Sequence, residues 1–154
     1  MKFVDNIFVT DDVTLFSLCD APADISQIAK VFKMIADAGI DVDMISQFPL
    51  SGSNSGFSFT VSDNDFVPVL TIASELRNSN PKTKISVSSG NSKITVSGEA
   101  MRGTPGISAK VFKAAASVGA DVRMITTSEI EIAMLVVKSD VDEVIAAIEK
   151  EFAE

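Results

Sequence analysis

The sequence predicts an α+β fold built from two strand-helix-strand-strand-helix-strand units, and three observations carry that reading. The first is an internal repeat: residues 28–46, IAKVFKMIADAGIDVDMIS, and residues 108–126, SAKVFKAAASVGADVRMIT, agree at 11 of 19 positions at a spacing of 80. The second is a regular exchange between period-two apolar patterns, which suit strands, and stripes at spacings of three and four, which suit helices. The third is a count. The second unit stops one strand short of the first, and a short apolar stretch near the N-terminus has no other role, so it is the economical candidate for the vacant edge.

Taken in order, a short strand is expected around Ile7 to Val9, ended by Asp11-Asp12, and a second from Val13 to Cys19. The loop from Asp20 to Asp24 follows, with Asp24 suited to cap a helix. In that helix Ile28, Val31, Phe32, Ile35 and Ala36 form one apolar stripe, which stops at Gly39. A strand over 42–47, a polar loop from Pro49 to Ser55 and a strand over 56–61 come next, the last with Phe57, Phe59 and Val61 on its core face. A helix follows Asp65, with Pro68 tolerated in its first turn and Phe66, Val69, Leu70, Ala73 and Leu76 as its buried stripe. Strands at 84–88 and 93–98 flank a tight turn at Ser89-Gly90-Asn91.

After Gly98 the pattern begins again. A helix opens at Thr-Pro-Gly, strands are expected at 122–127 and 129–137 with Ser128 as their link, and a last helix runs from Asp140. That last helix keeps Val141, Val144, Ile145, Ile148 and Phe152 in register, with Lys150 near its negative end. Residues 13–90 then form the first unit, and residues 1–12 with 91–154 the second.

Composition limits the chemistry. The apolar share of 46% belongs to a globular chain. A net charge of −8 with no basic stripe excludes a nucleic-acid partner, because phosphate neutralisation needs clustered Lys and Arg. No apolar run reaches the ~20 residues of a membrane span, and Asp5 interrupts the N-terminus too early for a signal peptide. The single Cys19 fits a reducing compartment, so a cytoplasmic location is expected. There is no histidine, which removes Ser-His-Asp and Cys-His pairs and the commonest metal ligand. The stretch Gly98 to Thr104 spells G-x-x-x-x-G-T without the lysine of a phosphate loop. Neither a catalytic residue nor a cofactor or metal is called for.

The informative stretch is GEAMRGTPGISAKVF, residues 98–112. Thr104 has the chemistry of an N-cap, Pro105 suits a first helical residue, and Gly106 permits close approach to the backbone. A helix start of this kind presents unpaired amides and a positive dipole end to a small carboxylate or phosphate, although the same residues also serve simply to begin a helix.

With its repeat and its Pro-Gly helix start, the chain resembles tandem ACT domains, small ferredoxin-like modules with antiparallel sheets and helices on one face. VSGEAMRGTPGISAKVF with ADVRMITTSEIEIAMLVV resembles the second ACT repeat of the aspartokinase regulatory region, and IAKVFKMIADAGIDVDMISQ resembles the first. The resemblance implies that the N-terminal strand completes the second repeat. The Lys-Phe-Gly-Gly opening motif of the kinase region does not occur in these residues, so the resemblance implies no phosphorylation of aspartate and a regulatory subunit or free-standing relative.

The resemblance also implies an effector site for a small amino acid, lysine or threonine, at repeat or subunit interfaces. It falls on Arg102, Gly103, Thr104, Pro105, Gly106, Ile107 and Ser108, on Asp121 and Val122, and on Thr127, Ser128 and Glu129. The helix start would hold the α-carboxylate, the strand edge at Asp121 and Val122 the α-ammonium, and Ser128 and Glu129 the side chain. A weaker first-repeat site falls on Asp24, Ile25, Asp41, Val42 and Gln47. It departs from the family: its loop from Asp20 is longer, Ala23 replaces the turn glycine, Phe48 stands where the family has Asn, and Gly56 where it has Asp.

Two functions are therefore expected in competition, an allosteric amino-acid sensor and a structural subunit with degenerate sites, either of them with a possible kinase catalytic subunit as partner. Ile130, Ile132, Met134 and Val136 share one face of their strand while Leu135 and Val137 place apolar groups on the other. That second face predicts cover from the partner repeat or from a second chain, and a homodimer is expected.

Overall fold

In the computed structural model, which describes residues 3–49 and 55–153, the first strand, β1, runs unbroken over Asn6–Ala21. The expected interruption at Asp11-Asp12 is a single left-handed residue, Asp12, with φ of 58°. A short polar side chain reaches that conformation more cheaply than most, so the strand twists there and continues. The strand β4, Lys84–Ser97, corrects the expected tight turn at Ser89-Gly90-Asn91 in the same way. Gly90 sits at φ 70° within a continuous strand, and residues that read as a hairpin turn serve as a local twist.

The chain divides into two compact units, Asp12–Ser89 and Met1–Asp11 with Gly90–Glu154, so that β1 and β4 each place one stretch in either unit. The first unit, Asp12–Ser89, adds α1 (Ile25–Asp37), β2 (Ile45–Pro49), β3 (Ser55–Ser62) and α2 (Phe66–Ser79). Its strands lie in the order β2-β3-β1-β4, with β3 antiparallel to both β1 and β2. The period-two pattern of β3 does what it predicts: Phe16 faces Phe59 and Leu18 faces Phe57 across the β1/β3 ladder. These four pack with Val31, Ile35 and Val69 from the two helices, and the Phe16 and Phe59 rings stack at 5.7 Å. Of the α1 stripe, Val31 and Ile35 are buried, Ile28 and Phe32 are partly so, and Ala36 is exposed.

The strand expected over 42–47 begins later, at Ile45. Thr60 marks the shift: its carbonyl accepts from the Asp43 amide at 3.1 Å, its amide donates to the Met44 carbonyl at 3.0 Å and its hydroxyl accepts from the Met44 amide at 3.0 Å, so two residues oppose one and the regular ladder starts at Ile45.

The second unit adds α3 (Ile107–Ser117), β5 (Val122–Thr127), β6 (Glu131–Val137) and α4 (Val141–Glu151) to the remaining stretches of β1 and β4. Its strand order is β1-β4-β6-β5, so the N-terminal stretch of β1 fills the position that the strand count left vacant. Ile94, Val96, Val111, Ile132, Met134, Val144 and Ile148 form its core. Strand β6 starts at Glu131 and not at Glu129, because the Ser128 amide donates to the Glu131 carbonyl at 2.8 Å and holds Glu129 and Ile130 in the connecting turn. The last helix opens through a 3-10 turn at Lys138–Asp140.

Equivalent helix ends show the repeat in detail. Gly39 and Gly119, 80 residues apart, have φ of 74° and 66°. The next amide bonds back across the helix end in both, Ile40 to Ile35 and Ala120 to Ala115, each at 3.2 Å. On the opposite face of β6, Ala133 and Leu135 are buried, at 2% and 0% exposure.

Residues 3–5 are held where β4 ends. The Asp5 amide donates to the Ser97 carbonyl at 2.8 Å, and the Asp5 carboxylate accepts from the Glu99 amide at 3.1 Å. Gly98 makes the approach possible, since a Cβ on it would overlap the Phe3 carbonyl. Gly98→Ala is expected to destabilise the protein by about 1–3 kcal/mol, the usual effect of overpacking, measured as a lower midpoint in urea unfolding.

Candidate functional site

The segment between β4 and α3 is folded by its own polar groups. A 3-10 turn at Glu99–Met101 ends at Arg102, and Gly103 follows at φ 67°. Thr104 is not the N-cap that its position suggests. Its hydroxyl donates backward to the Ala100 carbonyl at 2.9 Å and its amide to the Met101 carbonyl at 3.0 Å, so its polar atoms are spent closing the loop. The N-cap is Gly106, at φ 90°, and its carbonyl accepts the first helical bond from the Lys110 amide at 3.1 Å. The amides of Ile107, Ser108 and Ala109 therefore precede that first bond and remain as donors at the positive end of α3.

That helix start forms one wall of a cleft of about 390 Å³. Gly103, Thr104, Pro105, Ile107 and Ser108 line one side, and Ser128 and Glu129 in the β5/β6 turn line the other. Met101 and Ile132 supply apolar lining that the sequence reading did not assign; Ile132 carried only a core signal, and Met101 none beyond standing two residues before Gly103. Arg102 binds the Glu129 carboxylate and reaches Glu99 at 3.8 Å, so the arginine's charge is engaged by two acids. All three side chains are largely exposed, and ion pairs of this kind open at small cost. The size lies in the lower part of the range of about 300–1,000 Å³ usual for small-molecule sites.

The remaining second-repeat residues stand apart from this cleft. Asp121 stands immediately before β5, where its amide donates to the Asp140 carboxylate at 2.9 Å, its carbonyl accepts from the Val137 amide and its carboxylate accepts from Arg123 at 2.8 Å. Val122 is paired with Val136, and Thr127 with Ile132. None of the three lines the cleft.

The first-repeat residues are not gathered. Asp24 precedes α1 at the N-cap position, but its side chain makes no capping bond, and Ile25 is 79% exposed. Gln47 is drawn to that loop, its amide donating to the Ala23 carbonyl at 2.8 Å. Asp41 and Val42 lie before β2, outside any strand. A hollow of about 540 Å³ is present in this unit, yet Asp20–Asp24, Ser55 and residues 79–82 line it, and Ile25, Asp41, Val42 and Gln47 do not. At Gly56 a Cβ would lie 2.6 Å from the Phe48 ring and 2.5 Å from the Leu18 carbonyl, so the Phe48 ring occupies the space an Asp side chain would need. Among the described residues no cluster of His, Cys, Asp and Glu suits a metal, and no helix is long and apolar enough to cross a membrane.

Comparison with known proteins fits this geometry. Residues 94–152 match the family model of the ACT domain, and the chain as a whole resembles tandem ACT domains. More particularly, over nearly its whole length it is similar to the regulatory region of aspartokinase. The regulatory subunit of aspartate kinase from Thermus thermophilus is 28% identical, with a TM-score of 0.87 over 98% of this chain and 99% of that one. A chain in a structure of aspartokinase α and β subunits is also 28% identical, with a TM-score of 0.85 over 98% of this chain and 99% of its own. Aspartokinase of Mycobacterium bovis is 30% identical over 142 residues, 91% of this chain and 33% of that protein. The chain spans about a third of the length of the curated aspartokinases it matches.

The conformation at Gly106 is the local requirement of the cleft. A Cβ there meets no atom within 4 Å, so Gly106→Ala tests the left-handed backbone alone. The substitution is expected to cost about 1–2 kcal/mol, read as a fall in the thermal midpoint, with Gly106→Asn losing less.

Proposed function

We propose that the chain is a non-catalytic regulatory protein that binds a small amino acid, lysine before threonine, through the cleft at the start of α3, and so shifts a population of assemblies. The two ACT repeats are taken as residues 13–90 and residues 1–12 with 91–154. What carries the reading is the meeting of unpaired helix-start amides with Ser128 and Glu129 across one small cleft. An α-carboxylate suits the amides, and a cationic side chain suits Glu129 by exchange with Arg102. Asp121 and Val122 stand outside the cleft, so in this reading the α-ammonium is met by the Asp121–Val122 strand edge of a second copy, as a homodimer would allow. A kinase catalytic subunit is the proposed partner, by analogy with the structure that joins aspartokinase α and β subunits. The unpaired Cys19 supports a cytoplasmic setting.

A second reading, a structural subunit without sensing, is favoured by one specific observation. In the first repeat the Phe48 ring fills the space beside Gly56 and Gln47 is tied to the Ala23 carbonyl, and the hollow of that unit is lined without Ile25, Asp41, Val42 or Gln47.

Calorimetric and thermal-unfolding titrations separate the two. Binding to the native state raises stability by RT ln(1 + [L]/Kd), roughly 2.7 kcal/mol at a hundredfold excess of ligand over Kd. Lysine is expected to raise the midpoint, threonine less, and Ser128→Ala and Glu129→Ala to weaken lysine binding by about tenfold each. If neither amino acid moves the transition at millimolar concentration, the structural reading stands instead.

A further inference from the structure

Three backbone bonds bring an acid to either side of Arg102. The Arg102 amide donates to the Glu99 carbonyl at 3.2 Å across the 3-10 turn, in which residues three apart stand one above the other. The Gly98 amide donates to the Ile130 carbonyl at 3.0 Å, and the Ser128 amide to the Glu131 carbonyl at 2.8 Å, so the turn that carries Glu129 is fixed beside the residue that opens the 3-10 turn. One terminal guanidinium nitrogen of Arg102 then binds the Glu129 carboxylate, and the other lies 3.8 Å from the Glu99 carboxylate. The Glu99 amide is held in turn by the Asp5 carboxylate at 3.1 Å, which keeps the second acid in place.

The two acids differ in one respect. Glu129 lines the cleft and Glu99 does not, and Arg102 stands outside the lining although its neighbours Met101 and Gly103 belong to it. The arginine therefore gives Glu129, from outside, the positive charge that a cationic side chain would give it from within. Because the chain tethers it, its effective concentration at that carboxylate is high. Yet all three side chains are largely exposed, where an ion pair is weak, so a guest anchored by a second contact can displace it. Glu99 is already within ion-pair reach of the displaced guanidinium, and it lowers the cost of the exchange without a change of backbone.

On the reading that lysine binds this cleft, we propose that Arg102 is a tethered competitor that sets the affinity of the site for cationic side chains, and that the ligand moves its guanidinium from Glu129 wholly to Glu99. The start of α3 anchors the ligand's α-carboxylate, the ligand's ammonium takes Glu129, and Glu99 receives the arginine. A cation without a carboxylate has no such anchor and does not displace Arg102.

The test is isothermal titration calorimetry of lysine with the full chain and three variants, Arg102→Gln, Glu99→Gln and the two combined. Both positions are exposed, so the circular dichroism of each variant should match that of the wild type. Arg102→Gln is expected to tighten lysine binding about two- to fivefold, the worth of one exposed ion pair. Glu99→Gln is expected to weaken it about twofold in the wild-type background and to leave it unchanged in the Arg102→Gln background, because Glu99 acts only through the arginine. If Glu99→Gln weakens binding equally in both backgrounds, Glu99 acts through its field on the ligand and the exchange is overturned. If Arg102→Gln binds lysine no more tightly than the wild type, the competition is overturned while the cleft reading stands. If neither the wild type nor Arg102→Gln binds lysine at millimolar concentration, the cleft reading fails and the proposal fails with it.

Discussion

The second unit depends on one backbone contact, the docking of residues 3–5 where β4 gives way to the α3 loop. Without it the end of β4 would be left uncovered, and Val4 would be lost from a core that also holds Ile94, Val96 and Ile148. Asp5 serves twice there, its amide bonding Ser97 and its carboxylate bonding the Glu99 amide. The same few residues therefore complete a sheet and fix the beginning of the loop that carries the cleft. Gly98 is the condition for both, because any side chain at that position would strike the Phe3 carbonyl.

The cleft is shaped by backbone more than by side chains. Thr104 uses its hydroxyl to close the loop on Ala100, which leaves the cap position to Gly106 in a left-handed conformation and directs the first amides of α3 into the open. Across from them Ser128 bonds Glu131 and holds Glu129 in a turn, within reach of Arg102. A carboxylate already paired with an exposed arginine can exchange that partner for another cation at little cost, which is the property a reversible sensor needs. The first unit has the same topology, but there Phe48 lies against Gly56, and its hollow is lined by Asp20–Asp24, Ser55 and residues 79–82.

Much of this was legible in the sequence for reasons that are physical. The identities between residues 28–46 and 108–126 mark two equivalent helices ended by Gly39 and Gly119, and the structure ends both with the same left-handed bond pattern. The count of strands required a donor, and β1 is that donor. What misled was turn chemistry. Asp11-Asp12 and Ser89-Gly90-Asn91 have the residue types of turns, but tertiary pairing carries both strands through them, at the cost of one left-handed residue each. Thr104 and Asp24 have capping side chains in capping neighbourhoods, and neither bonds its helix; whether a hydroxyl turns forward to an amide or back to a carbonyl is set by the loop and not by local sequence. Met101 gave no signal at all, because a lone apolar residue in a polar loop reads the same whether it lines a cleft or fills a core.

The account stands on the claim that an amino acid sits between the start of α3 and the β5/β6 turn. Amide chemical-shift mapping of isotope-labelled protein during a lysine titration addresses it directly. The account predicts saturable shifts concentrated at Gly103, Thr104, Gly106 to Ser108, Ser128 and Glu129, with residues 20–24 and 47 unmoved. Shifts centred on those first-unit residues, or none anywhere at millimolar lysine or threonine, would contradict it.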